Sequence, residues 1–136
     1  MTDLVVKSNR LVQALQTLTL SETRLLQLAI VDARETGQGL SSDEPLELSA
    51  LRYAKAFNVS PDAAYLALTE AEDSLFKRQF TITNEDGSLT KSRWIQDANY
   101  RKGEGRILVT LTRVVIEHVT KIDGFEQYFT SYHLKK

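Results

Sequence analysis

Basic side chains are the residues of this sequence best suited to binding chemistry, and they gather in its second half. Residues 1–76 carry eleven acidic and six basic side chains, a net charge of −5, whereas residues 77–136 carry eleven basic and seven acidic ones, a net charge of +4. Lysine and arginine position DNA by contacting its phosphates. The asymmetry predicts a surface that faces a polyanion. The cations closest to the predicted turns are Lys77, Arg78, Lys91, Arg93, Arg101, Lys102 and Arg106.

Residues that could support catalysis or hold a metal are few. The chain has no cysteine, and its two histidines are His118 and His133. Adjacent residues of a helix diverge by about 100°, so Glu117 and His118 are badly spaced for one metal. The Gly103-Glu104-Gly105 sequence fits a hairpin turn better than a phosphate-binding loop. We therefore expect no enzymatic activity, no cofactor and no metal site.

Length and composition are those of one globular domain. The chain has 136 residues, of which 42% are hydrophobic and 26% charged, close to the averages for globular proteins. Its apolar runs, such as Leu25 to Val31, are far shorter than the roughly 18 residues of a membrane span. Asp3 lies where a signal peptide would be basic. We expect a soluble, cytoplasmic protein.

Helical patterns fill the first half of the chain. Apolar residues at helical spacing predict a helix over residues 7–18 and a second helix that begins at a Ser21 cap and ends before Gly37. Alternation at residues 46–48 predicts a very short strand. A third helix begins after Leu48 or Ser49 and closes at Asn58. A fourth has Ser60 as its N-cap and Pro61 at its first position, and runs to about Phe76. Its apolar positions at helical spacing are predicted to face the core: Ala64, Leu68, Ala71 and Leu75.

The two helices that flank Asn58 to Ser60 form a candidate helix-turn-helix. Strand patterns follow, first around Phe80 and Ile82 and then after the Asp86-Gly87 turn. The second strand is predicted to run through Trp94 to Tyr100. After a turn at residues 102–105, a partner strand occupies residues 106–112. Residues 113–122 favour a helix over a further strand, on apolar spacing.

This order of elements predicts an α+β winged helix, in which a helix-turn-helix is followed by a β-hairpin wing, with additional N-terminal helices. The short strand before the helix-turn-helix usually pairs with that hairpin. On one continuous strand, Arg93, Asp97, Asn99 and Arg101 would share a face. A basic face on a wing suits contacts to phosphates rather than to bases. The alternative is ordinary solvated charge, balanced by Asp97 and Glu104.

The candidate recognition helix has mixed chemistry. Asn58, Ser60 and Tyr65 near its start could donate to bases or phosphates. Asp62, Glu70, Glu72 and Asp73 on the same helix repel phosphates. The helix is therefore either a direct DNA contact or mainly a scaffold for the wing.

Two short motifs resemble those of a known family. The residues Leu4 to Asn9 (LVVKSN) and Phe129 to Leu134 (FTSYHL), with the Leu-rich helix after Leu18, resemble the N-terminal winged-helix domain of iteron-binding plasmid replication initiator (Rep) proteins. The resemblance covers essentially the whole chain. It implies two winged-helix domains in tandem, so we expect residues 1–128 to be the first domain and residues 129–136 to start a linker to a second, absent one.

The resemblance also implies a function. The first domain would dimerise the initiator and add contacts to one end of each origin repeat, and dimers would repress the initiator's own promoter. Monomers would start replication and recruit host replication proteins such as a helicase or the host initiator. We expect Leu46, Glu47 and Leu48 to form part of the dimer contact. A stand-alone winged-helix transcription regulator and a purely protein-binding winged helix remain alternatives.

Overall fold

The computed structural model describes residues 14–36 and 44–121. The opening and closing motifs, most of the predicted first helix, His133 and the predicted domain boundary at residue 128 lie outside these residues. The elements, numbered in chain order, are α1 (Leu20–Thr36), β1 (Leu46–Ser49), α2 (Ala50–Phe57), α3 (Pro61–Lys77), β2 (Gln79–Thr83), β3 (Leu89–Arg93), β4 (Ile95–Arg101), a 3₁₀ turn (Lys102–Glu104), β5 (Arg106–Leu111) and α4 (Arg113–Lys121).

Helix α1 begins one residue before the predicted Ser21 cap, so that expectation was wrong. Thr19 is the capping residue: its hydroxyl accepts a hydrogen bond from the Glu22 amide at 3.2 Å, and Glu22 Oε1 accepts one from the Thr19 amide at 2.8 Å. This reciprocal pair is a capping box, which satisfies two backbone donors at once. Serine is the more common capping residue, but Glu22 lies three residues after Thr19, which is the spacing of a capping box.

The helix-turn-helix has the predicted caps. Ser49 caps α2 by accepting from the Arg52 amide, and Asn58 ends α2 in the left-handed conformation at φ 57°. Ser60 caps α3 by accepting from the Ala63 amide, with Pro61 in the first turn. A left-handed residue reverses the chain tightly after a helix, and asparagine tolerates it better than most residues. These caps end α2 and begin α3 within a turn of three residues.

The three-stranded sheet has the order β1-β5-β4. β1 and β5 are antiparallel with Leu48 opposite Ile107, and β4 and β5 are antiparallel with Tyr100 opposite Ile107. The early strand therefore pairs with the later hairpin, as the winged-helix pattern predicts. At the tip of that hairpin Gly105 adopts φ 65°, and its carbonyl accepts from the Ala50 amide at 2.9 Å. This hydrogen bond joins the wing tip to the start of α2.

The predicted continuous strand through Trp94 is wrong, because the chain breaks there into β3 and β4. β3 pairs only with β2 in a separate two-stranded sheet, in which Arg93 lies opposite Gln79. Trp94 and Ile95 are both buried. Successive residues of a regular strand point to opposite faces, and the break lets both of these side chains enter the core. Arg93 consequently does not share a face with Asn99 and Arg101.

The hydrophobic core lies between α1, α3 and the inner face of the three-stranded sheet. α3 buries the predicted residues Ala64, Leu68, Ala71 and Leu75. α1 contributes Leu25, Leu26 and Ile30, and Leu48, Ile107 and Val109 close the core from the sheet. Residues 113–121 are helical, as predicted. The core therefore holds the helix-turn-helix and the wing as one packed unit.

Candidate nucleic-acid interface

The turn between α2 and α3 exposes two of the predicted DNA-contacting residues. Asn58 and Ser60 are both exposed there, while Tyr65 lies one turn further along α3 and is half-buried. The Ser60 hydroxyl already accepts from the Ala63 amide at 3.2 Å, so its proton and one oxygen lone pair remain for a ligand. The turn brings Asn58 and Ser60 together, and Tyr65 faces the side of α3 that borders the wing.

The exposed face of α3 is acidic. Asp62, Glu70 and Asp73 are exposed, and the one cation of the helix, Lys77, is paired with Asp73 at 3.3 Å. Carboxylates near phosphates oppose binding. This charge pattern favours the scaffold interpretation of α3 over direct DNA contact.

Glu72 was expected to repel phosphates, and this expectation is wrong because Glu72 does not lie on the acidic face. Its side chain is buried and accepts a hydrogen bond from the Tyr100 hydroxyl on β4. Burial raises the pKa of Glu72, and the charge of Asp73 adds to the rise, while the hydrogen bond from Tyr100 opposes it. Burial, together with the hydrogen bond to Glu72, also raises the pKa of Tyr100. The pair connects α3 to the wing.

Arg78, one of the predicted DNA contacts, instead forms hydrogen bonds within the fold. Its Nε donates to both carboxylate oxygens of Glu22, at 2.8 and 2.9 Å. Glu22 is fully buried and also accepts from Ser74 and from the Thr19 amide. Burial alone would raise the pKa of Glu22, but the hydrogen bonds from Arg78, Ser74 and Thr19 outweigh it and lower that pKa. This network ties the end of α3 to the start of α1.

Two further predicted contacts on the wing are held by neighbours. Arg106 pairs with Glu47 at 3.1 Å and donates through Nε to Glu104 at 2.9 Å. Arg101 donates to Asn99 at 2.9 Å, and its guanidinium lies 3.8 Å from Glu104. The hydrogen bond from Arg106 lowers the pKa of Glu104. The acidic neighbours therefore partly neutralise the charges of Arg101 and Arg106 in the free protein.

Three predicted cations have no ion pair among residues 14–36 and 44–121. Lys91 and Arg93 are exposed on β3, and Lys102 is exposed at the wing tip. The residues of β2 opposite Lys91 and Arg93 are uncharged: Thr81 lies opposite Lys91, and Gln79 lies opposite Arg93. We call the exposed face formed by these four residues the hairpin face. Its charges are the most available to phosphate oxygens.

Sequence reasoning gave no role to the trough between α3 and β4. Leu51, Leu66 and Tyr100 are exposed along a cavity of about 650 Å³ there. The available signal was weak: Leu66 interrupts the polar face of α3, but a single outward leucine is common on protein surfaces.

Nothing in the described part of the chain forms a cluster of histidine and carboxylate side chains able to hold a metal. The Nδ1 atom of His118 lies 2.9 Å from the Val114 carbonyl, within its own helix. The described helices also include none long and apolar enough to cross a membrane.

The edge strand β1 carries the residues predicted for dimerisation. Leu46 and Leu48 point into the core and are buried, whereas Glu47 is exposed. The two leucine side chains already pack within the domain. What β1 can offer another copy is its backbone edge and Glu47.

Comparison with known proteins bears on this arrangement. The crystal structure of the MSBI1.176 WH1 domain, a replication protein isolated from a multiple sclerosis patient, is 38% identical to this chain. It superposes with a TM-score of 0.79, and the match covers 96% of this chain and 99% of that one. No curated protein gives a significant match.

A second solved structure shares the fold at lower identity. The Pi initiator protein, crystallised in complex with iteron DNA, is 19% identical with a TM-score of 0.69. The match covers 87% of this chain and 50% of that chain, so this chain spans half of its length. The family model described as Initiator Replication protein, WH1, matches residues 4–136. The chain therefore belongs to the initiator replication proteins, a family of winged-helix DNA-binding domains, and corresponds to their WH1 domain.

Proposed function

We propose that this domain is the dimerisation and auxiliary DNA-binding module of a plasmid replication initiator. In this role it adds contacts to one end of each iteron, acts in the cytoplasm and catalyses no reaction. Dimers repress the initiator's own promoter, and monomers start replication with host proteins such as a helicase or the host initiator. Family membership supports the replication role, and the Pi initiator with the same fold was crystallised on iteron DNA.

The observation that carries the DNA-binding part is the hairpin face. Lys91 and Arg93 project from one side of β3 with no acidic residue opposite them on β2. The candidate recognition helix, by contrast, presents Asp62 and Glu70. Contacts made by such cations go to phosphates and set position rather than sequence. DNA binding by this domain alone should therefore be weak, salt-dependent and low in specificity.

Salt dependence of binding to a fluorescein-labelled duplex of mixed sequence tests this proposal. Each phosphate contact that is lost reduces the slope of log K against log [salt] by about one unit. Replacing both Lys91 and Arg93 by alanine should reduce the slope by about two. Arg106→Ala is the matched control, because Arg106 already pairs with Glu47 and Glu104. An equal or larger loss in the control would contradict the assignment.

The same titration separates the other function classes. Tight binding to one selected sequence by this domain alone would favour a stand-alone transcription regulator. A lack of any duplex binding at low salt would favour a protein-interaction module. Weak binding with little sequence preference is the result expected of an auxiliary domain.

The dimerisation part rests on the position of β1 at an edge of the sheet. Isologous pairing of two such edges brings the same residue of both copies together. Glu47 already carries the same charge on both edges, where Arg106 neutralises it, whereas Glu47→Lys would place an unneutralised cation beside Arg106 on each edge. Sedimentation velocity over a dilution series should show a dimer that this change weakens, while Thr81→Lys, on the separate hairpin, leaves it intact. A monomer at every concentration would contradict dimerisation.

A further inference from the structure

A trough runs between the exposed face of α3 and strand β4 and ends at the wing tip. Its larger part, about 650 Å³, is lined by Leu51, Tyr65, Leu66 and Tyr100. A smaller part of about 320 Å³ is lined by Phe76 and Ala98 and again by Tyr100. Tyr100 borders both parts, and we call the two adjacent parts together the α3–β4 trough.

The dimensions of the trough match those of a helix. Its lining residues extend along α3 from Pro61 to Phe76, which at 1.5 Å per residue is about 22 Å. A bound helix of about four turns would have this length. Recognition of this kind uses apolar anchors that project from one face of an amphipathic helix into a groove.

The floor of the trough is unusually apolar for a free surface. The exposed fractions are 69% for Leu51, 58% for Leu66, 49% for Tyr100 and 39% for Phe76. Isolated exposed apolar residues are common, but a contiguous row with a polar border marks an interaction surface. Leu51 and Leu66 line the larger part, Phe76 lines the smaller part, and Tyr100 lines both.

The wall formed by Tyr100 is fixed in place. Its hydroxyl donates to the buried carboxylate of Glu72, and this hydrogen bond restrains the side chain where it lines both parts of the trough. A side chain that is already ordered loses little conformational entropy on binding. Tyr100 is therefore suited to act as an anchor for a partner.

The border of the trough is negative. Asp62 and Asp97 line it, and Glu70 follows the lining residue Thr69 on α3. None of these carboxylates has an ion pair within the described residues, and Lys102 is the one cation among the lining residues that the structure describes. Phosphates would be repelled from such a border, whereas lysine and arginine would be attracted.

We propose that the α3–β4 trough docks an amphipathic helix of another protein, with leucine-like residues on one face and lysine or arginine along its flanks. The site uses the face of the helix-turn-helix that would otherwise approach DNA. The proposal does not depend on DNA binding by the hairpin face, since the two surfaces share no residues.

A fluorescently labelled helical peptide made only of leucine and lysine, with leucines at i, i+3, i+4 and i+7, is the probe. Its anisotropy with the full 136-residue chain should show saturable binding, and a peptide with glutamate in place of lysine should bind at least tenfold more weakly. Leu51→Ser and Leu66→Ser should each reduce affinity about tenfold. Leu89→Ser, at the same 69% exposure but on the β2–β3 hairpin, is the matched control and should leave affinity unchanged.

Charge reversal provides an independent readout. The double substitution Glu70→Lys and Asp97→Lys should weaken binding of the lysine peptide and strengthen binding of the glutamate peptide. Equal binding of both peptides by the unmodified chain, or unchanged binding in Leu51→Ser and Leu66→Ser, would overturn the proposal. It would also be overturned if these serine variants instead weakened binding to duplex DNA, or converted a dimer of the chain to monomers. All variants change exposed side chains, and circular dichroism verifies that each is folded.

Discussion

The hydrogen-bonded pair of Arg78 and Glu22 allows a quantitative test of what this arginine does. Glu22 is fully buried, and Arg78 Nε is within 2.9 Å of both of its carboxylate oxygens. Removing one partner of a buried ion pair usually costs about 3–5 kcal/mol, because the other charge stays buried and uncompensated. Arg78→Ala is therefore expected to destabilise the fold, and not only to remove a surface charge.

Two features reduce that cost here. The Arg78 side chain is 36% exposed, so water can replace part of its interaction. Ser74 and the Thr19 amide remain as donors to Glu22. We expect a loss of about 2–3 kcal/mol in the free energy of unfolding. For a domain of this size that corresponds to a fall of about 6–10 °C in Tm.

Urea unfolding followed by circular dichroism measures the loss, and Lys77→Ala is its control. Lys77 precedes Arg78 and pairs with Asp73 at 3.3 Å, but its side chain is 73% exposed. Exposed pairs contribute about 0.2–1 kcal/mol. If Arg78→Ala costs no more than Lys77→Ala, the structural assignment of Arg78 is refuted, and a DNA-binding role becomes the better explanation of that residue.

Acidity provides a second check on the same pair. The pKa of Glu22 is lower in the folded chain than in the unfolded one, so the ionised Glu22 carboxylate stabilises the folded state at neutral pH. That stabilisation is lost as the pH falls through the folded pKa. The stability difference between the unmodified chain and Arg78→Ala should therefore shrink on acidification. A difference that grew instead would contradict the network.

Three further predictions concern single positions. Glu72→Gln should raise the free energy of unfolding at neutral pH, because burial raises the pKa of Glu72 and the ionised carboxylate therefore opposes folding. Urea unfolding should show that this gain shrinks as the pH is lowered toward about 4. Gly105→Ala should cost about 1 kcal/mol in thermal unfolding, since φ is 65° there, and a neutral result would contradict this. Ile30→Asp should unfold the domain, whereas the half-buried Leu28→Asp should be milder, as circular dichroism will show; a folded Ile30→Asp protein would contradict the core assignment.

Local chemistry explains which elements were predictable from sequence. Ser49, Asn58 and Ser60 act through backbone groups within a few residues of themselves, so their caps could be identified without tertiary information. The apolar spacing of α3 likewise identified Leu68 and Leu75 as core residues. The winged-helix order then followed from the order of the elements.

Long-range pairing explains what the sequence did not reveal. Arg78 meets Glu22 across 56 positions, and Tyr100 meets Glu72 across 28, so neither partner is marked by spacing. The break at Trp94 depends on which sheet each half of the strand joins. The sequence therefore did not distinguish the cations on the predicted strands from one another. In the structure Arg106 pairs with acidic neighbours, whereas Lys91 is exposed and able to contact phosphates.

The break between the two sheets also gives the protein an internal optical probe. Trp94 is the single tryptophan of the chain, buried at the junction with its ring 4.7 Å from that of Phe80 on β2. Separation of the β2–β3 hairpin from the rest of the domain would expose the indole to water and move its fluorescence emission to longer wavelength. Movements of the hairpin can thus be followed in the unlabelled protein, in the presence of DNA or of a peptide.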